Sequence, residues 1–91
     1  MARIDNVKYK QLSASAQIKA TAGAFHGYIV NSHSGGTLKF WDSDAASGAV
    51  LIDTITLPSG PTSLVLNNGI DCPNGLYVTI GGTASVTILF T

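Results

Sequence analysis

A tryptophan and two aspartates stand together in the segment FWDSDAASG, residues 40–48. Asp42 and Asp44 could begin a calcium loop, but calcium takes about six to eight oxygen ligands, and the following AASG adds no carboxylate. Trp41 could stack on a sugar or pack against another protein chain. The same residues also suit a turn between two strands, with the aspartates capping or solvating it. The segment therefore predicts a turn and no metal site.

Other residues capable of chemistry are few and isolated. His33 lies between two serines, but neighbours on an extended chain point to opposite sides, and no orienting acid or oxyanion hole is evident. His26 alternates with Tyr28 and Val30, which predicts a position in the core or at an interface. The chain has no glutamate, and its two histidines and one cysteine lack the spacing of a zinc site. We predict no enzyme, no catalytic residue, no metal and no cofactor.

The composition favours association with other chains. Charged residues make up 11% of the 91 residues, where about 25% is usual, and the formal net charge is zero. So few charges give little repulsion between copies, which favours self-association or docking into a larger assembly. MARIDNVKYK lacks the apolar core of a signal peptide, no apolar run is long enough to span a membrane, and the single Cys72 excludes an internal disulfide. We expect folding in a reducing cytoplasm, without a membrane.

The charges are unevenly distributed along the chain. Residues 1–20 carry a net charge of +3 and the remainder −3. The basic segment from Arg3 to Lys10, which includes Lys8, could bind the acidic body of a neighbouring copy or another acidic partner. Scattered cations on solvated strands, with no partner, are the alternative. Because the cations do not cluster with stacking aromatic residues, we predict no binding of nucleic acid.

Turn signals recur at short intervals and separate segments of strand length. Glycine, asparagine and proline mark turns at HSGG, ASG, PSGP, NNG, PNG and GG, the paired glycines being assigned to hairpins. The segments between them alternate apolar and polar residues, and none has a helical period. In AVLIDTITL the alternation changes phase at Asp53 and Thr54, which predicts a β-bulge or bend. The eight predicted strands are NVKYKQL, SAQIKAT, AFHGYIVN, TLKFW, AVLIDTITL, SLVLN, GLYVTI and ASVTILF.

Eight short strands with two faces to bury fit two packed sheets. We predict an all-β fold, an antiparallel β-sandwich of about eight strands that is jelly-roll-like, with an immunoglobulin-like order as the alternative. Residues 6–91 form its single domain, and residues 1–5 form an N-terminal arm. In this fold Phe40 faces the core, and Trp41 faces outward to a neighbouring subunit, a glycan or the rim of its own domain.

Two long stretches resemble small all-β virion proteins of tailed bacteriophages. They are SGGTLKFWDSDAASGAVLIDTITLPSG and NNGIDCPNGLYVTIGGTASVTILF, which share with that group a Gly-Gly turn, an aromatic-Asp turn and a GLYV-IGGTA stretch. The resemblance implies a head decoration (cement) protein or another minor virion part, located in the virion after assembly in the host cytoplasm. It offers no catalytic residues.

The resemblance also implies partners. Decoration proteins often form trimers on a capsid, so we expect a homotrimer that binds the major capsid protein or another virion protein. The candidate interface residues are Arg3, Lys8, Lys10, Tyr28 and Trp41. A tail, baseplate or head-fibre component is the first alternative. A surface carbohydrate-binding module, with Trp41 or Tyr28 exposed to a glycan, is the second.

Overall fold

The chain is built from antiparallel β-strands in the residues that the computed structural model describes, 7–58 and 62–91. The strands of this part are β1 (Lys8–Leu12), β2 (Ala16–Lys19), β3 (Gly23–Asp42), β4 (Ala49–Thr56), β5 (Thr62–Cys72) and β6 (Leu76–Phe90). The described residues include no helix long and apolar enough to cross a membrane.

Each of the eight predicted segments overlaps one of these strands. Two pairs of predicted segments each lie within a single long strand. AFHGYIVN and TLKFW both lie in β3, and GLYVTI and ASVTILF both lie in β6. Where the segments meet, Gly35 and Gly82 have φ angles of 65° and 69°. Residues with a Cβ atom rarely adopt this left-handed conformation. The assignment of these glycines to hairpin turns is therefore wrong, since they bend two long strands that pair with each other.

The two bends divide the sheet into two half-sheets of four strands. Half-sheet A has the order β1, C-terminal half of β6, N-terminal half of β3, β5. Half-sheet B has the order β2, N-terminal half of β6, C-terminal half of β3, β4. With the eight segments numbered along the chain, these orders are 1-8-3-6 and 2-7-4-5, the strand order of a jelly roll rather than of an immunoglobulin domain.

One apolar core joins the inner faces of the two half-sheets. Phe25 of half-sheet A and Phe40 of half-sheet B belong to the same strand, and a straight strand would separate them by about 50 Å. Their ring centroids are 4.5 Å apart. The half-sheets therefore fold over and face each other. The core residues are Leu12, Phe25, Tyr28, Val30, Leu38, Phe40, Leu57, Cys72, Leu76, Val78, Ala84, Val86 and Ile88.

A β-bulge changes the predicted phase at the start of β3. The pairing register of β3 shifts between Phe25 and Gly27. Phe25 and Tyr28 are consequently both buried, whereas His26 is only half-buried. The expectation that His26 shares a face with Tyr28 is wrong, because the extra residue of a bulge interrupts the alternation of side chains.

A second bulge, in β4, confirms the predicted change of phase. Leu38 and Phe40 are two residues apart on β3, but their partners on β4, Ile55 and Ile52, are three apart. The extra residue lies between those partners, at the Asp-Thr pair where the alternation of the sequence changes.

Candidate functional site

The segment FWDSDAASG forms the end of β3 and the loop that follows it. Phe40 is fully buried, and Trp41 lies half-buried on the outer face of half-sheet B. There Trp41 is in lateral register with Tyr77 of β6 on one side and Val50 of β4 on the other. Aromatic and apolar side chains therefore lie side by side on this face.

The polar atom and one ring face of Trp41 are occupied by its own domain. The indole Nε1 donates a hydrogen bond to Thr79 Oγ1 at 2.9 Å. The Lys39 ammonium lies 4.4 Å from the ring centroid, a cation-π distance, and is also 3.8 Å from Asp53 Oδ1. These contacts hold Trp41 against the domain and leave it less ring surface for a partner.

The paired aspartates have structural contacts. Both oxygens of the Asp42 carboxylate accept hydrogen bonds from Asn74, from the backbone N at 3.0 Å and from Nδ2 at 3.4 Å. The backbone O of Asp44 accepts from Gln17 Nε2 at 3.0 Å. In the described ranges, no three His, Cys, Asp or Glu residues are grouped as metal ligands would be. The aspartates thus connect the loop after β3 to the β5–β6 turn and to β2.

His33 links the bend of β3 to the end of β4. Its Nε2 contacts the backbone O of Pro58, and its Nδ1 accepts a hydrogen bond from Gly36 N at 3.4 Å. A neutral imidazole protonated on Nε2 satisfies both contacts, because the carbonyl accepts and the amide donates. Leu57 N donates to Gly36 O at 3.1 Å beside them. Both ring nitrogens of His33 therefore contact backbone groups.

His26 links the bulge of β3 to β5 and to Thr91. Its Nδ1 is 3.3 Å from Leu66 O and its Nε2 is 3.4 Å from Thr91 Oγ1. Its ring also packs on Gly69, where an added Cβ would lie within 2.9 Å of the imidazole. This histidine packs and connects strands at the edge of half-sheet A.

Cys72 is a buried thiol at the end of β5. Its Sγ donates to Ile70 O at 3.4 Å. Burial away from water, together with the nearby Asp42 and Asp71 carboxylates, raises the pKa of the Cys72 thiol from 9.0 to about 11, against a backbone hydrogen bond that lowers it. The thiol stays protonated at neutral pH, so it is a poor nucleophile.

The predicted basic residues lie on an edge of half-sheet A, where β1 pairs only with β6 among the described strands. Lys8 and Lys10 are exposed, and Lys10 Nζ is 3.4 Å from Gln17 O on β2. A shallow groove of about 620 Å³ runs along this edge and is lined by five consecutive residues, 7–11. Arg3 and the predicted arm, residues 1–5, lie outside the described residues.

Three of the five exposed large apolar side chains in the described residues lie on the outer face of half-sheet A, namely Tyr9, Ile29 and Val65. One lateral row of this face consists of Tyr9, Leu89, Gly27 and Val65. Tyr9 is 71% exposed and Val65 is 62% exposed, and both lie on edge strands. Large apolar side chains exposed to this degree indicate contact with another surface.

The structure separates the predicted interface residues. Lys8 and Lys10 lie on the edge of half-sheet A, and Trp41 lies on the outer face of half-sheet B. Tyr28 is 7% exposed and stacks on Phe40 with centroids 5.7 Å apart, so its selection as a surface residue is wrong. Its side chain belongs to the core because of the bulge in β3.

Sequence reasoning missed the exposed residues of half-sheet A. Val65 lies between Leu64 and Leu66 in a run of three apolar residues, and strand alternation requires one member of such a run to face outward. Tyr9 lies between two exposed lysines of an edge strand. The run of three apolar residues around Val65 and the position of Tyr9 between two lysines were the sequence signals that could have identified these exposed residues.

No protein-family model, curated protein or solved structure matches the chain.

Proposed function

We propose that this chain is a structural protein of a bacteriophage virion, a capsid decoration protein that binds the outer shell and stabilises it as a homotrimer. The observation that carries the proposal is the outer face of half-sheet A, where Tyr9 and Val65 are largely exposed. A second row of this face, Gln11, Thr87, Ile29 and Ser63, adds another exposed apolar residue, Ile29, and neither row has a charged residue. Such a face suits burial against a protein partner.

The arrangement of the remaining polar groups supports a structural role. Both histidines contact backbone carbonyl groups, the Asp42 carboxylate holds a turn, and the Cys72 thiol is buried. The groove at β1 is lined by Val7, Lys8, Tyr9, Lys10 and Gln11, none of which is a histidine, cysteine or carboxylate. The two histidines, Asp42 and Cys72 therefore stabilise the fold. The outer face and the β1 edge of half-sheet A remain as the surfaces for binding.

The basic edge supplies a second element of the proposed binding. Lys8 and Lys10 are exposed on β1, which has a free side among the described strands. An unpaired strand edge can accept a strand or an extended segment of another protein through backbone hydrogen bonds. We propose that the shell or a neighbouring copy contributes acidic groups to this edge.

The alternative roles use the same fold. A tail, baseplate or head-fibre component would bury the same apolar face against a different partner. A carbohydrate-binding module would use Trp41, but Lys39 already lies over the indole ring. Glycan binding is therefore the weaker alternative.

Particles produced from the genome that encodes the chain test the proposed role. We expect mass spectrometry to detect the chain in gradient-purified particles and cryo-electron microscopy to locate it on the outer surface of the head. Particles made without the chain should release their DNA at a lower temperature, and added purified chain should restore the original temperature. Its absence from particles would refute a virion role, and density in the tail would establish the first alternative.

A further inference from the structure

We propose that copies of this chain associate head to tail, with β1 in one copy pairing with β5 in the next through edges that no other described strand covers. The inference deepens the self-association in the proposed function and rests on that part of it. The occupant of the β1 edge is therefore a second copy of the chain, and the occupied surface includes the groove at residues 7–11.

Among the described residues, the positions of the two most exposed large apolar side chains support this pairing. Tyr9 on β1 and Val65 on β5 lie at opposite ends of one lateral row of half-sheet A, separated by Leu89 and Gly27. When the β1 edge of one copy meets the β5 edge of another, Tyr9 and Val65 become neighbours across the new strand pair. Each side chain then covers the apolar surface that the other leaves exposed.

The charges of the two sides are complementary. Strands β1 and β2 form one side of the two half-sheets, and their charged residues are all basic: Lys8, Lys10 and Lys19. Strands β4 and β5 form the opposite side, and their charged residues are Asp53 and Asp71. Opposite sides of opposite sign attract one another when copies meet head to tail.

The same charges disfavour symmetric pairing. Two copies joined through β1 and β1 would place Lys8 and Lys10 of one copy beside those of the other, and like charges facing each other are destabilising. Two copies joined through β5 and β5 would leave Tyr9 exposed. Only the unlike pairing covers both apolar residues without placing lysines against lysines.

The strand directions also allow the sheet to continue between copies. Strand β1 is antiparallel to β6, β6 to β3, and β3 to β5, so β1 and β5 of one copy run in opposite directions. A second copy in the same orientation thus presents β5 antiparallel to β1. The antiparallel pattern of half-sheet A then extends through the interface. Head-to-tail contacts generate rings when the rotation closes, and the proposed trimer is one such ring.

Two lysine substitutions at the exposed ends of the row test the inference. Wild type, Tyr9→Lys and Val65→Lys are compared by light scattering after size exclusion and by native mass spectrometry. Ile29→Lys is the matched control, since Ile29 is also an exposed apolar residue of this face, at 40%, but lies on β3, an inner strand. We expect Tyr9→Lys and Val65→Lys each to weaken self-association by at least about tenfold, and Ile29→Lys to assemble as wild type does.

Mixing the two interface variants tests the head-to-tail geometry. Tyr9→Lys retains a native β5 edge and Val65→Lys retains a native β1 edge, so the mixture should form a 1:1 dimer at a concentration at which each variant alone is monomeric. Circular dichroism verifies the fold of each variant, and a serine substitution at the same position replaces any lysine variant that fails to fold.

Three results would overturn the inference: a monomeric wild type, assembly of either variant as in wild type, or no dimer in the mixture. A trimer insensitive to both substitutions would refute this interface while leaving the proposed virion role standing. If the chain forms the head-to-tail ring but is absent from particles, the virion role is refuted and the proposed interface stands.

Discussion

The outer faces of the two half-sheets use their aromatic residues in different ways. On half-sheet B, Trp41 is half-buried, donates a hydrogen bond to Thr79 and lies beneath the Lys39 ammonium. On half-sheet A, Tyr9 is 71% exposed, and its lateral row contains Gly27, which offers no side chain to cover the neighbouring residues. The local neighbours of an aromatic residue therefore determine whether it stabilises its own domain or remains available to a partner.

The largest effect is expected at the glycine in the row of half-sheet A. Gly27 has a φ of 128°, and a Cβ there would overlap the backbone O of Leu64 on β5. Because this substitution combines backbone strain with a clash between strands, Gly27→Ala should lower the free energy of unfolding by about 3 kcal/mol or more. Urea denaturation followed by circular dichroism measures the change.

Gly35 provides the matched control for that substitution. Its φ is also positive, but no atom lies within 4 Å of an added Cβ. Gly35→Ala should cost only the left-handed conformation, about 1 to 2 kcal/mol. Equal losses for the two variants would show that β3 and β5 do not approach closely at Gly27.

The next effect concerns Cys72, whose thiol is buried and has the Asp42 and Asp71 carboxylates nearby. Its pKa is raised to about 11 in the folded protein, so an unfolded thiol loses its proton at lower pH than a folded one. The free energy of unfolding should therefore be unaffected by this thiol below pH 9.0 and fall between pH 9.0 and about 11, by up to about 2.7 kcal/mol.

Denaturation of wild type and Cys72→Ala across that pH range isolates the contribution of the thiol. All other side chains are the same in the two proteins, whereas the thiol is present only in wild type. Stability should thus decline more steeply with pH in wild type. Parallel declines would contradict the burial of the thiol as the cause.

A pair of aromatic substitutions compares the two outer faces directly. Trp41→Phe removes the hydrogen bond to Thr79 and part of the surface beneath Lys39, so it should lower the free energy of unfolding by about 1 to 2 kcal/mol. Tyr9→Phe is the control, and it should change the stability of the monomer by less than about 0.5 kcal/mol because Tyr9 is exposed. Urea denaturation at low protein concentration measures both, and a larger loss at Tyr9 would reverse the comparison.

The smallest effect is expected at the ion pair beside Trp41. Asp53 is 86% exposed and its carboxylate lies 3.8 Å from Lys39 Nζ, so solvent screens the pair. The coupling between Asp53→Asn and Lys39→Met in a double-mutant cycle should be below about 0.5 kcal/mol and should decrease with salt. A coupling above about 1 kcal/mol would exceed what an exposed ion pair contributes. It would mean that Asp53 helps to hold Lys39 over the indole.

Much of the fold was predictable because strand alternation and turn residues are local signals. The positions of the eight segments, the antiparallel jelly-roll class and the bulge in β4 all follow from them. The bulge at Gly27 was not predictable, since the pattern in AFHGYIV is also that of a regular strand. That single extra residue took His26 off the face that Tyr28 shares with Val30, and this face belongs to the core.

The candidate site was less predictable than the fold. The outward direction of Trp41 follows from its neighbours in the sequence, but Thr79 and Asp53 approach it only through strand pairing. Tyr9 and Val65 are 56 positions apart in the chain and share a row only because β6 and β3 lie between their strands.

The sequence by itself determined which segments form strands, where they turn and how few charges cover the surface. Only the tertiary structure decided that Gly35 and Gly82 bend long strands, that Tyr28 is buried and that basic and acidic strands lie on opposite sides. The physical reason is that alternation and turn propensity depend on adjacent residues, whereas register, burial and edge position depend on hydrogen bonds between strands far apart in the chain.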